Sequence, residues 1–206
     1  VREAAEKIDA LQVDWGGMDI DLSKPFKRVP MLKLLKDATG CDLGGVTDDE
    51  IKKICIKNNI EVDGTWNYGQ MLDELMSKLV EPNLIQPTFI IDYPKAISPL
   101  AKVHRNGDQN LVERYELFIG GAEFANSFSE LNDPVDQRER LEAQAALKEK
   151  GDEEAQPVDE QFIQAMECGM PPTGGVGLGI DRLTMLLTEN RWIKDVILFP
   201  AMRPEK

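Results

Sequence analysis

The chain has 206 residues, 42% of them hydrophobic and 30% charged, and a formal net charge of −13 at pH 7. That length supports one well-buried domain with room for a helical annex, and the composition is ordinary for a globular protein. The acidic balance excludes a broad basic surface for nucleic acid, so contacts to any RNA partner fall mostly elsewhere. No apolar run approaches the ~20 residues of a membrane helix, and no signal-peptide pattern opens the chain. The three cysteines, Cys41, Cys55 and Cys168, lack metal-ligand spacing and read as reduced thiols of a cytosolic protein. With His104 as the only histidine, a histidine-based triad or zinc site has almost no material.

In chain order, residues 1–22 read as the end of an amphipathic helix (Val1, Ala5, Ile8, Leu11) followed by a turn at Gly16-Gly17. A start at Val1, inside such a helix, reads as a piece of something longer. Pro30 to Thr39 is a short predicted helix stopped by Gly40, and Thr47-Asp-Asp-Glu50 is a capping box introducing a second helix to about Lys57. Met71, Leu72, Leu75, Met76 and Leu79 form the core-facing stripe of a third helix over Trp66–Val80, ended by Pro82. From Pro87 the texture changes. Thr88–Ile91 reads as a buried strand, and Glu113–Ile119 with Ala122–Glu130 flank Gly120-Gly121, a strong hairpin signal. Asp133-Pro134 caps a long charged helix to about Lys150, Gly151–Glu154 breaks it, and Asp159 opens a further helix to Met170. After Pro171-Pro172 come a glycine-rich strand ending in Gly179, a helix with Asp181 and Arg182 in its first turn, and a strand-like Val196–Phe199. Strands paired through a hairpin with helices against them imply an α+β fold built on an antiparallel sheet.

The hairpin and the glycine-rich segment carry the candidate chemistry. A two-residue turn sets Ile119 opposite Ala122, Phe118 opposite Glu123 and Glu116 opposite Ala125. Glu116 and Glu123 then project from one face as diagonal neighbours. Two carboxylates there repel unless a cation lies between them, and oxygen ligands of this kind suit Mg²⁺ with substrate phosphates. The plainer reading is two solvent-facing glutamates, each paired with an arginine such as Arg114. Asn126, Phe128 and Glu130 alternate along the next strand, giving an amide, an aromatic wall and a carboxylate for a ligand with an ammonium. The plainer reading there is an edge strand with one buried phenylalanine. Strict alternation puts this set on the opposite face from Glu123, so a shared pocket requires a bulge near Phe124–Asn126. Gly175-Val-Gly177-Leu-Gly179 matches neither G-x-G-x-x-G nor a P-loop. Small residues still let a flat ligand lie against backbone, and Arg182 beside them can hold a phosphate. Alternatively the glycines mark a tightly packed core strand, and Asp181 is only a favourable charge at a helix start.

Together ERYELFIGGAEFANSFSELNDPVDQRER, PTGGVGLGIDRLTMLL and DVILFPAMRP, with PTFIIDYPKAISPLAK before them, resemble the C-terminal half of the catalytic domain of lysyl-tRNA synthetases, a class II family. The resemblance runs from about Pro87 to Pro204. It implies a class II synthetase-like sheet over residues 87–206, preceded by residues 1–22 as a helix end and linker of the catalytic core and by 23–86 as a helical insertion. It implies Mg²⁺ on Glu116 and Glu123, lysine on Asn126, Phe128 and Glu130, and ATP along Gly177, Gly179 and Arg182, with Arg182 on the γ-phosphate. The implied reaction is activation of lysine by ATP and transfer to tRNA(Lys), in a cytoplasmic homodimer. The family's first and second motifs and its anticodon-reading barrel have no counterpart here, so the chain alone is expected to be inactive or nearly so. Two other readings stay open: a non-catalytic module that binds nucleotide or a protein, and a related ligase that lysylates a protein.

Overall fold

The computed structural model describes residues 1–148 and 158–201; the break at Gly151–Glu154 and the Met202–Pro204 end of the last motif lie outside them. The first helix, α1 (Arg2–Lys7), is shorter than its apolar spacing suggested. Residues 12–21 are a small hairpin, β1 (Gln12–Asp14) and β2 (Asp19–Asp21), whose turn lies at Gly16-Gly17 as the sequence indicates. Trp15 and Met18 close its turn with reciprocal backbone hydrogen bonds of 2.9 and 3.3 Å. Val13 and Ile20 face each other across it and are buried.

Strand β3 (Lys27–Pro30) leads into α2 (Met31–Thr39), α3 (Asp48–Lys57) and α4 (Tyr68–Leu75), which continues through a π-helical turn at Met76–Val80. The capping box at α3 forms as read: Thr47 N donates to Glu50 Oε2 at 2.8 Å and Glu50 N to Thr47 Oγ1 at 3.4 Å. Asn67 and Gln70 cap α4 in the same reciprocal way. Next come β4 (Thr88–Pro94), β5 (Leu111–Ile119), β6 (Ala122–Ser129), α5 (Pro134–Lys148), α6 (Glu160–Glu167), β7 (Gly174–Leu178) and α7 (Ile180–Leu187).

Strands β3 to β7 lie side by side in chain order as one sheet, antiparallel except for the parallel pair β3–β4. Parallel neighbours need a long crossover, and α2 to α4 are that crossover. Their apolar stripes pack on one sheet face, where Met31, Leu35, Leu72 and Leu75 meet Ile90, Val112 and Phe118. On the other face α1, the small hairpin and α7 bury Ala5, Ile20 and Leu186 against Leu117, Ile119 and Phe124. The α+β class with helices flanking the sheet is therefore what the chain adopts. One strand is lost: after a short 3₁₀ turn at Ile193–Asp195, Val196–Phe199 is irregular. Phe199 is 93% exposed, and among the described residues no strand pairs with this segment.

Candidate functional site

The site is built by a turn and two irregularities in the strands. Gly120 and Gly121 close β5 onto β6 with φ of +57° and +74°, the mirror-image turn that matches the twist of a hairpin. The register begins as that turn dictates, with Ile119 opposite Ala122 and Phe118 opposite Glu123. It then slips, so Glu116 faces Asn126 and not the expected Ala125. Phe124 is the extra residue of a β-bulge, and it lies in the apolar core of the other face at 1% exposure. The bulge places Glu123 on one side of it and Asn126 and Phe128 on the other, all on the face that carries Arg114, Glu116 and Phe118. A second slip lies between Ile91 and Tyr93 of β4, where Asp92 takes φ +54°. Tyr93 consequently pairs with Val112 and joins the same face.

Glu116, Glu123 and Arg182 share one cleft of about 810 Å³. Trp66, Gln70, Glu74, Ser77 and Glu81 of the helical segment form its other wall. Arg182 sits in the first turn of α7 and folds back so that Nη1 donates to the Glu123 backbone carbonyl. An adjoining recess of about 410 Å³ is lined by Glu123, Asn126, Gly177, Gly179 and Arg182. Strand β7 is largely exposed, so its glycines are not those of a packed core strand. Phe128 and Glu130 are not in the large cleft. Phe128 leans on the helical core, and Glu130 opens onto a separate hollow with Lys102 and Thr173. The Glu130 carboxylate lies over Gly175, where even a methyl group would collide with it.

Charge is unevenly balanced here. Burial and then the charge of Glu116 raise the Glu123 carboxyl above its ordinary range, against the pull of Arg182 and Arg114. Glu81, in the facing wall, is raised by burial and then by Glu116, Asp73 and Glu123. Burial alone raises Glu130. Glu116 is better served: Arg114 Nη2 donates to its Oε1 at 2.5 Å and the Tyr93 hydroxyl to its Oε2 at 2.6 Å. Burial and Glu116 push the Tyr93 phenol up, so it stays a neutral donor. A crowd of carboxylates, with Glu116 and Glu81 partly buried and Glu123 at the open side of the cleft, is what a hard divalent cation relieves. Among the described residues no three or more His, Cys, Asp or Glu side chains form a ready metal cage. Mg²⁺ held by two carboxylates and completed by phosphates and water does not need one.

Two participants carry no signal in the sequence: Tyr93 reaches this face only through the slip at Asp92, and Glu81 closes a helical segment whose packing is not local. Arg114, named from the sequence as a partner for a glutamate, does pair with Glu116, but part-buried and not in solvent. His104 lies outside the cleft, its Nε2 3.4 Å from Asp92 Oδ1.

Residues 1–203 match the family model for class II tRNA synthetases (D, K and N). A lysine–tRNA ligase of Porphyromonas gingivalis is 48% identical over 205 residues, covering 100% of this chain and 35% of that protein. A lysine–tRNA ligase of Trichormus variabilis is 54% identical over 204 residues, covering 98% of this chain and 36% of that protein. One from Azobacteroides pseudotrichonymphae is 46% identical over 201 residues, covering 98% and 40%. The chain thus spans little more than a third of the length of the relatives it matches. With a family model running almost end to end over a sheet whose bulges gather acids and an arginine around one cleft, the chain belongs to the class II tRNA synthetases of the D, K and N group.

Proposed function

We propose that this chain is the part of a lysine–tRNA ligase that holds the metal, the γ-phosphate and the amino acid. Lysine's carboxylate attacks the α-phosphorus of ATP, giving lysyl-adenylate and pyrophosphate, and a terminal ribose hydroxyl of tRNA(Lys) then takes the lysyl group as the anhydride bond breaks and AMP leaves. The single observation that supports this most is the meeting of Glu116, Glu123 and Arg182 around one cleft. Glu116 and Glu123 would hold Mg²⁺, which when bound neutralises phosphate charge and fixes the triphosphate. Arg182 is anchored on the Glu123 carbonyl, which points a guanidinium at a γ-phosphate beside those carboxylates. Gly177 and Gly179 leave the recess next to Arg182 open for the nucleotide. Asn126 and Phe128 on β6 and Glu130 just past its end would follow an elongated ligand with an ammonium at its far end, although Asn126 and Glu130 line separate hollows here; the Glu130 carboxyl, raised by burial, gains most from such a partner.

Residues 23–86 are, on this reading, an insertion anchored in the sheet through β3, residues 1–22 a remnant of the core, and residues 87–206 the catalytic half-domain. The working protein is a cytoplasmic homodimer; among the described residues no helix is long and apolar enough to cross a membrane. The chain by itself is inactive, or nearly so, in lysine-dependent ATP–pyrophosphate exchange, because loss of a single transition-state donor already costs about 10²- to 10³-fold. Calorimetry with ATP, Mg²⁺ and lysine tests the assignment. Binding of MgATP that weakens about tenfold or more in Arg182→Ala is the expected result, and binding indifferent to that substitution would refute the placement of the γ-phosphate.

A further inference from the structure

Arg114 touches both halves of this site. It stands on β5 opposite Phe128, and its side chain is only 17% exposed. Nη2 donates to Glu116 Oε1 at 2.5 Å and Nε to Asn126 Oδ1 at 3.3 Å. Nη1 donates to Ile97 O and Ser98 Oγ, each at 2.9 Å. The guanidinium lies over the Tyr93 ring, 4.6 Å from its centroid, and the hydroxyl of that same ring holds the other oxygen of Glu116. A guanidinium only donates, so the Asn126 amide must turn its oxygen toward Arg114. Its NH₂ is left to an acceptor in the recess that Asn126 lines.

We infer that Arg114 is a positioning residue coupling the metal–nucleotide half of the cleft to the amino-acid half; this rests on the functional reading above. A divalent cation on Glu116 draws charge from the carboxylate that now competes for the guanidinium. The long Nε–Asn126 bond then shortens, and the amide is locked with its NH₂ toward the carboxylate of the amino acid. Metal with nucleotide and the amino acid therefore bind with positive cooperativity. Lysine cannot substitute, because an ammonium is a point charge that keeps one partner and cannot span both with planar geometry.

The test measures lysine affinity by calorimetry with and without Mg²⁺ and α,β-methylene-ATP, and Mn²⁺ affinity alone by electron paramagnetic resonance. In the unmodified protein, metal with the analogue tightens lysine about fivefold or more, and Glu116→Gln weakens Mn²⁺. Arg114→Lys keeps Mn²⁺ affinity within about twofold and reduces the coupling to below about twofold, since charge is retained and the fork is lost. Coupling that persists in Arg114→Lys overturns the inference while leaving the functional reading intact. Absence of lysine or Mn²⁺ binding in the unmodified protein, or Mn²⁺ binding indifferent to Glu116→Gln, overturns both. Should Arg114→Lys fail to fold, Asn126→Ser, too short to reach the guanidinium, carries the test: full coupling in that variant refutes the role.

Discussion

The two faces of the β5–β6 ribbon are made by the same strands and obey opposite rules. The back face is apolar near the turn, with Leu117, Ile119, Phe124 and Ala125 buried. Its one acid, Glu113, takes hydrogen bonds from Arg105 and Ser129. Arg105 chiefly, with Ser129, lowers that carboxyl to about 2. On the opposite face no side chain among the described residues donates a hydrogen bond to Glu123, and desolvation and then Glu116 raise it against the pull of Arg182 and Arg114. A satisfied carboxylate stabilises the fold, whereas one held near another carboxylate opposes it until a ligand arrives. Both faces carry core, one against α1, the small hairpin and α7 and the other through Val112 and Phe118 against the helical segment; only the second also crowds acids around the cleft proposed for the substrate.

The largest expected effect lies on the apolar face. Phe124→Ala removes a fully buried ring and the bulge's anchor together, and should cost about 3–5 kcal/mol in chemical denaturation. A loss under about 1 kcal/mol would show that the bulge, and with it the site register, does not depend on that core.

A signed effect separates the two acids. Glu113 is lowered, so its stabilisation is present above its ordinary value of 4.5 and is lost as pH falls through about 2. Glu123 is raised, so its favourable contribution is present below 4.5 and is lost as pH rises through its elevated value. At pH 7.5 Glu113→Gln should lower the melting temperature and Glu123→Gln should raise it. The Glu123→Gln gain should fade as pH approaches 4.5. Shifts of the same sign at pH 7.5 would erase the contrast between the faces.

Mg²⁺ with α,β-methylene-ATP sharpens it further. The ligand should raise the melting temperature of the unmodified protein and reverse its disadvantage against Glu123→Gln, because a metal held as proposed would turn the raised carboxylate into a ligand. An equal rise in both proteins would place the metal elsewhere. The smallest effect is at the turn: Gly121→Ala, at φ +74°, should cost about 1 kcal/mol in chemical denaturation.

Legibility followed the range of the interactions. The Gly120-Gly121 hairpin and the capping box at Thr47 were readable because turn and cap chemistry involves residues two to four apart. The bulge at Phe124 followed from a contradiction in alternation, since Glu123 and Asn126 cannot otherwise share a face. The Gly16-Gly17 pair reads as a turn and is one; its strands are only three residues long, too short for alternation to show in the sequence. Val196–Phe199 has a strand's composition, yet β structure needs a neighbour, and no local pattern supplies one.

Short-range stereochemistry written into the chain thus determined the hairpin, the helices and the acids, amide and arginine available for phosphate and metal. Only the folded sheet decided that β3 joins β4 in parallel, that the slip at Asp92 turns Tyr93 inward, and that Arg114 bridges Glu116 and Asn126. Those outcomes depend on register between strands and on which buried charges find partners, quantities fixed by packing across the whole molecule and not by neighbours in sequence.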